Sequence, residues 1–250
     1  LRAAFDTWEA QQQTERAARL LEALHWFWLV HGHLSEGREQ AARVATLAAE
    51  TDRPDLQALA LDHGSAFAFH LRDYAAACAL AQQSLVLRRM LGDVSGLPSL
   101  LVLLAAAELR QGDARGARAH LEESMDIARQ TGDMVNYSRA LADLANVAHE
   151  QADYVVARVL HRESLALARQ NGDLQGEAAV LNNLAVVARD QGERSEACRL
   201  FEESIAIRRA SGDRHGLALT LANLGDVVGQ LGDYDRATPL LPAPTVHRTH

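Results

Sequence analysis

Apolar and small residues recur along this chain at helical spacing, in stretches of roughly 16–18 residues that predict helices rather than strands. The stretches are cut by helix-breaking dipeptides: Gly92-Asp93, Gly112-Asp113, Gly132-Asp133, Gly172-Asp173, Gly212-Asp213 and Gly232-Asp233. Ala152-Asp153 and Gly192-Glu193 fill the remaining slots, so a stop falls every 20 residues from 92 to 232. Glycine can enter the left-handed conformation that ends a helix, and aspartate can then cap the free amides that begin the next. The pattern therefore reads helix, tight turn, helix, repeated.

The two helices of a pair differ, which makes the true period 40 residues. The inner turns are marked by Gly32, Arg72, Gly112, Ala152, Gly192 and Gly232. Seven residues before them stand His25, Ser65, Ala105, Ala145, Ala185 and Gly225, and eight before stand Leu24, Gly64, Leu104, Leu144, Leu184 and Leu224. Five residues after them come Gly37, Ala77, Ala117, Ala157, Ala197 and Ala237; twelve after come Ser84, Ser124, Ser164 and Ser204. Small residues at fixed columns let helix backbones approach closely, with the Leu and Ile columns filling the space around them. A single pair cannot bury this face alone, so the pairs are expected to stack.

These columns resemble the tetratricopeptide repeat in a 40-residue form. The likeness is carried by the run AVLNNLAVVARDQGERSEACRLFEES ending at Ser204, by LANLGDVVGQLGDYDRA from Leu221 to Ala237, and by Tyr74, Tyr154 and Tyr234 just after the inner turn. It implies an all-α, right-handed superhelical solenoid of antiparallel helix pairs, one domain over 1–250. The expected repeats are 12–51, 52–91, 92–131, 132–171, 172–211 and a partial 212–240, with an irregular tail at 241–250. A narrower likeness rests on ALHWFWLVHGHLSEGREQ (Ala23 to Gln40) and on the repeat ending LALARQNGD. These runs are similar to the sensor region of bacterial signal-transducing ATPases and of LuxR-type, maltose-regulator-like transcriptional regulators. That likeness, and the first residue being Leu1, lead us to expect a piece of a larger regulator.

Composition narrows the chemistry. All 25 basic residues are arginine, so neither a P-loop lysine nor a Schiff-base lysine can exist here. A formal charge of −8, without an Arg-rich run interleaved with aromatics, argues against direct nucleic-acid binding. No apolar run approaches membrane-spanning length, and a cytoplasmic protein is expected. Cys78 and Cys198 share a column three repeats apart, too far for a disulfide, and read as reduced structural residues. His31 and His33 flank a helix stop, and His63 and His70 lie seven apart on one helix; neither pair has a metal-site spacing. The paired acids Glu122-Glu123 and Glu202-Glu203 read as solvated surface, and the Ser column as packing. We expect no catalytic site, no metal and no cofactor.

By analogy with the repeat family, the first helix of each pair lines the concave surface. With core columns 11, 8, 7 and 4 residues before the inner turn, the opposite stripe at 13, 10, 6, 3 and 2 before it faces the groove. That stripe supplies Arg110 in the third repeat, Arg139, Asn146, His149 and Glu150 in the fourth, Asn182, Arg189 and Asp190 in the fifth, and Asp226 in the sixth. The arginines could grip a carboxylate or phosphate, the asparagines an extended peptide backbone. Ordinary ion pairing between helices would place the same charges there. The expected partner is a protein or peptide; a small metabolite held in a partly apolar pocket near Trp26 and Trp28 is the alternative. Pro242 and Pro244 stop the last helix early, which exposes an uncapped end where self-association is expected.

Overall fold

The computed structural model describes residues 2–232. All twelve elements among them are α-helices: α1 Arg2–Ala10, α2 Thr14–His31, α3 Leu34–Glu50, α4 Pro54–His70, α5 Tyr74–Leu91, α6 Leu97–Arg110, α7 Ala114–Thr131, α8 Met134–Glu150, α9 Tyr154–Asn171, α10 Leu174–Asp190, α11 Arg194–Ser211 and α12 Arg214–Gln230. Tyr234, Ala237, Pro242, Pro244 and the 241–250 tail lie outside the described residues, and so does the proposed self-association surface. The chain divides after Asn136, in the first turn of α8, into compact units Leu1–Asn136 and Tyr137–His250. Within the first, α2 packs on α3, α3 on α4, α4 on α5, α5 on α6 and α6 on α7; within the second, α9, α10, α11 and α12 pack in the same sequential way.

Each turn spends one residue in the left-handed region. Gly32, Gly92, Gly112, Gly132, Gly172, Gly192, Gly212 and Gly232 all have φ between 67° and 87°. Where the sequence offers no glycine, another residue takes the strain: Arg72 at φ 63° and Ala152 at φ 59°. The following aspartate then caps the next helix as expected. Asp73, Asp113, Asp153, Asp173 and Asp213 each accept from the amide three residues on. Glu193, one methylene longer, makes no such cap; it reaches instead to Arg158.

The small-residue columns are buried, with Ala77, Ala117, Ala157 and Ala197 all at 1% exposure or less. Their size is tied to what faces them. Gly37 stands in this column opposite the ring of Phe67, and a Cβ there would lie 2.7 Å from it. The first helices are buried on more than the expected columns. Positions 12 and 5 residues before the turn, such as Val180 and Val187 on α10, are also in the core. A helix flanked by its partner and by neighbouring pairs has only a narrow face left for solvent. Helix α1 precedes the repeats and caps them: Phe5 is buried and stacks on Trp28 with centroids 6.4 Å apart.

The serine column does more than pack. Each hydroxyl donates to a backbone carbonyl 26 residues earlier, in the first helix of its own pair: Ser84 to Ala58 at 3.0 Å, Ser124 to Pro98 at 2.9 Å, Ser164 to Ser138 at 2.8 Å and Ser204 to Ala178 at 2.7 Å. All four serines are fully buried, so each bond pins the two helices of a pair at one register. Charge enters the interior at two equivalent places. Arg88 bridges Asp62 and Asp93, and Arg208 donates to Ser204 at 3.2 Å and to Asp213 at 2.6 Å. Gly96 and Gly216 leave room for these guanidinium groups, which a side chain at either position would meet. Burial raises the Asp62 carboxyl above its ordinary range, opposed by the Arg88 charge and the Ser84 hydroxyl.

His161 on α9 is fully buried and neither ring nitrogen has a partner. Its column is filled elsewhere by Ala81, Leu121 and Phe201, so the imidazole sits where the fold calls for hydrocarbon. Burial, assisted by the charge of His149, lowers its pKa to about 4. The folded state thus resists a proton that the unfolded chain accepts near pH 6.5. Stability from this site is complete above that pH and is lost as pH falls from 6.5 toward 4. His161→Leu is expected to stabilise the fold by about 1 kcal/mol at neutral pH and to flatten this acid limb, as read by urea denaturation between pH 4 and 7. Ala152→Gly, relieving the left-handed strain, is expected to add about 1 kcal/mol in the same measurement. Ser204→Ala is expected to lose about 1 kcal/mol and strand the Arg208 contact.

Candidate functional site

In the second unit the first helices α8, α10 and α12 present a run of amide side chains that bond to one another across the helices. Asn223 on α12 donates to Asn182 at 3.1 Å. Asn182 donates to its neighbour Asn183 at 3.3 Å, and Asn183 donates to Asn146 on α8 at 3.2 Å. Asn146 in turn donates to the Asp143 carboxylate at 3.1 Å. A carboxylate can only accept, so the amide of Asn146 must turn its NH₂ to Asp143 and its oxygen to Asn183. The same logic orients every amide back to Asn223. The ladder ties three helices of successive pairs together, with Asn146, Asn183 and Asn223 half-buried along it.

Near the C-terminal ends of α8 and α10 lies a charged group. His149 Nε2 donates to Asp190 Oδ2 at 2.8 Å, and Arg189 Nε donates to Asp190 Oδ1 at 2.8 Å. Burial pushes the Asp190 carboxyl up, but the bonds and charges of Arg189 and His149 outweigh it, and the pKa ends below its ordinary value. Tyr154, just after the inner turn, holds its ring 5.6 Å from His149. Glu150 and Asp226 are exposed. At the other end of α8, Arg139 lies 3.7 Å from Asp173, the cap of α10.

Of the sequence-derived candidates, Asn146, His149, Arg189 and Asp190 thus form contacts across α8 and α10. Arg139 and Arg189 have carboxylate neighbours of their own, which is the ion-pairing alternative weighed from the sequence. Asn182 is only 6% exposed, and the residue beside it, Asn183, comes nearer the surface. Arg110 is exposed at the end of α6, in the first unit. Asp143, Asn183 and Asn223, which stand nine residues before their turns, lie outside the stripe expected from the sequence. A stripe at 13, 9, 6 and 2 before the turn follows helical period as well as one at 13, 10, 6 and 3, and the repeated Asp, Asn, Asn of that column was the signal available.

The first unit holds an aromatic and histidine group on α2 and α4. Trp28 is buried, edge-on to Phe67 at 5.9 Å, whereas Trp26 is 65% exposed. His25 and His63 approach Nδ1 to Nδ1 at 3.0 Å. Burial, with the neighbouring His25, lowers His63 to about 4, and burial likewise lowers His25, so the pair is neutral near pH 7. Among the described residues no group of three His, Cys, Asp or Glu side chains is placed to hold a metal. His31 bonds the Phe27 carbonyl at the helix end at 3.0 Å. Cys78 and Cys198 are both free thiols, and burial raises that of Cys78. No described helix is long and apolar enough to cross a membrane.

Comparison with known proteins places this architecture. No curated protein matches the sequence. Among solved structures the chain is similar to BtubC (BKLC) from P. vanneervenii, at 21% identity and a TM-score of 0.61, over 92% of this chain and 96% of that one. It is similar to a Rap protein complexed with Competence and Sporulation Factor, at 12% identity and a TM-score of 0.68, over 90% of this chain and 72% of the other. A third likeness is to a signal transduction ATPase with numerous domains, carrying a tetratricopeptide repeat sensor, from Pyrococcus horikoshii. It has 14% identity and a TM-score of 0.65, with 91% of this chain matching 35% of that protein. At these identities the likeness is one of fold. The tetratricopeptide repeat profile matches residues 96–170 and 176–241. That match covers more than half of the chain, and the chain belongs to the tetratricopeptide repeat family.

Proposed function

We propose that this chain is a protein- or peptide-binding scaffold that acts by docking a partner rather than by catalysis, and that α8, α10 and α12 carry the binding face. The observation that carries this reading is the amide ladder from Asn223 to Asp143. Each amide donates one N–H to the ladder, and Asn182, Asn183 and Asn146 each accept once as well, so the half-buried Asn146, Asn183 and Asn223 keep a second N–H and a spare lone pair for an extended backbone. Preorganised groups of this kind bind without the entropy cost of being ordered by the ligand. Beside them, the His149–Asp190–Arg189 group and the exposed Glu150 and Asp226 offer both signs of charge, which suits a partner of mixed charge.

We further propose that the chain serves as the sensor or partner-docking region of a larger bacterial regulator in the cytoplasm. The run from Ala23 to Gln40 and the repeat ending LALARQNGD support this, and so does the likeness to the repeat-bearing signal transduction ATPase. The Rap structure, solved with Competence and Sporulation Factor, offers a precedent for a ligand held on this fold.

The test is affinity capture from host lysate with three baits: the native chain, Asn146→Ala with Asn183→Ala, and the surface reversal Glu150→Arg with Asp226→Arg. Partners retained by the native chain are expected to bind about tenfold or more weakly to the ladder variant, the loss of two hydrogen bonds. Far-UV circular dichroism confirms that both variants remain helical. An unchanged set of partners on both folded variants overturns the assignment of this face.

A further inference from the structure

A pocket in the second unit shares no residue with the ladder. Where α9, α10 and α11 meet, Leu165, Leu184, Ala188 and Leu200 floor a cavity of about 150 Å³. All four are buried core residues, yet here they surround space. Arg158, Arg162, Glu196 and Arg199 complete the lining, so this is an open pocket with an apolar floor and a charged rim, with space for a group about as large as benzene.

The mouth of the cavity is ringed by guanidinium groups. Arg199 grips Glu196 with two bonds, Nε to Oε2 at 3.0 Å and Nη2 to Oε1 at 2.8 Å. Arg158 is paired with Glu193. Arg162 is exposed and, among the described residues, makes no hydrogen bond or ion pair. The positive character of the rim registers on its own carboxylate: Arg199 first, with Arg158 and Arg162 adding, holds the Glu196 carboxyl below its ordinary range. Arg199 also pairs with Glu203 at 3.3 Å, so Arg162 is the guanidinium of the mouth that makes no hydrogen bond or ion pair among the described residues and can meet one negative charge.

The geometry points to a ligand that we propose to be a compact apolar group bearing a single carboxylate. Its hydrocarbon would fill the floor between Leu184 and Leu200 while its carboxylate meets Arg162 in a bidentate contact. A neutral hydrocarbon would leave Arg162 without a partner, and a bare anion would leave the floor unfilled. The carboxylate could belong to a free small acid or to the C-terminus of a chain ending in an apolar residue.

Titration of the full chain with benzoate, followed by isothermal calorimetry, tests the assignment. Saturable one-to-one binding is expected, weakened about tenfold for benzamide, which lacks the charge, and for acetate, which lacks the ring. Arg162→Gln, a change at an exposed residue, is expected to reduce benzoate affinity by a similar factor without changing the thermal midpoint. A short peptide ending in Phe, as free acid and as amide, separates the two sources. Preference for the free-acid peptide over benzoate assigns the cavity to chain ends, and the reverse assigns it to small acids. Equal binding of benzoate and benzamide, an unaffected Arg162→Gln variant, or no binding of any acid overturns the proposal.

Discussion

The whole arrangement depends on ending each helix within a single left-handed residue. Even where the connection lengthens, from Leu91 to Leu97 between α5 and α6, the left-handed residue keeps its place at Gly92 and the columns stay in register. The strength of that demand is visible where glycine is missing. Arg72 and Ala152 adopt the conformation regardless, at φ 63° and 59°, because the packing on either side outweighs the local strain. The aspartate that follows completes the turn by capping the next helix. A break in the repeat is thus also the start signal for what comes after it.

With phase fixed, the interior can be specified by very little chemistry. Alanine columns set the approach of the backbones, and buried serine hydroxyls reach a carbonyl 26 residues back to fix the sliding register. Gly37 shows how tightly such choices are coupled, since it is small only because Phe67 occupies the opposing space. The same tolerance shelters groups that the core does not need. Arg88 and Arg208 are accommodated by Gly96 and Gly216, while His161 has been accommodated without any partner at all.

Much of this is legible in the sequence, because local rules carry it. The turn positions, the aspartate caps and the small columns are properties of residues near one another in sequence, and they recur often enough to reinforce one another. What was not legible depends on side chains meeting across pairs. The serine column read as packing, since nothing nearby announces a carbonyl 26 residues away. Sequence alone does not separate Asn182 from Asn183, because two stripes one residue apart fit helical period nearly equally, and only the neighbouring helices decide between them. Helix α1 was likewise invisible to a reading built on repeats, being a cap that belongs to none of them. The pairing of Arg139 with Asp173 joins α8 to the start of α10, and neither helix's own sequence marks it.

The ladder on α8, α10 and α12 has a direction. Because it terminates on the Asp143 carboxylate, no amide in it can rotate by half a turn without setting two acceptors or two donors face to face. The row is consequently a vector rather than a symmetric comb, with its donors aimed from α12 toward α8. A strand laid along it forward and the same strand laid in reverse would not meet equivalent partners. On the proposed reading, the ladder would therefore distinguish the two directions of a docked strand.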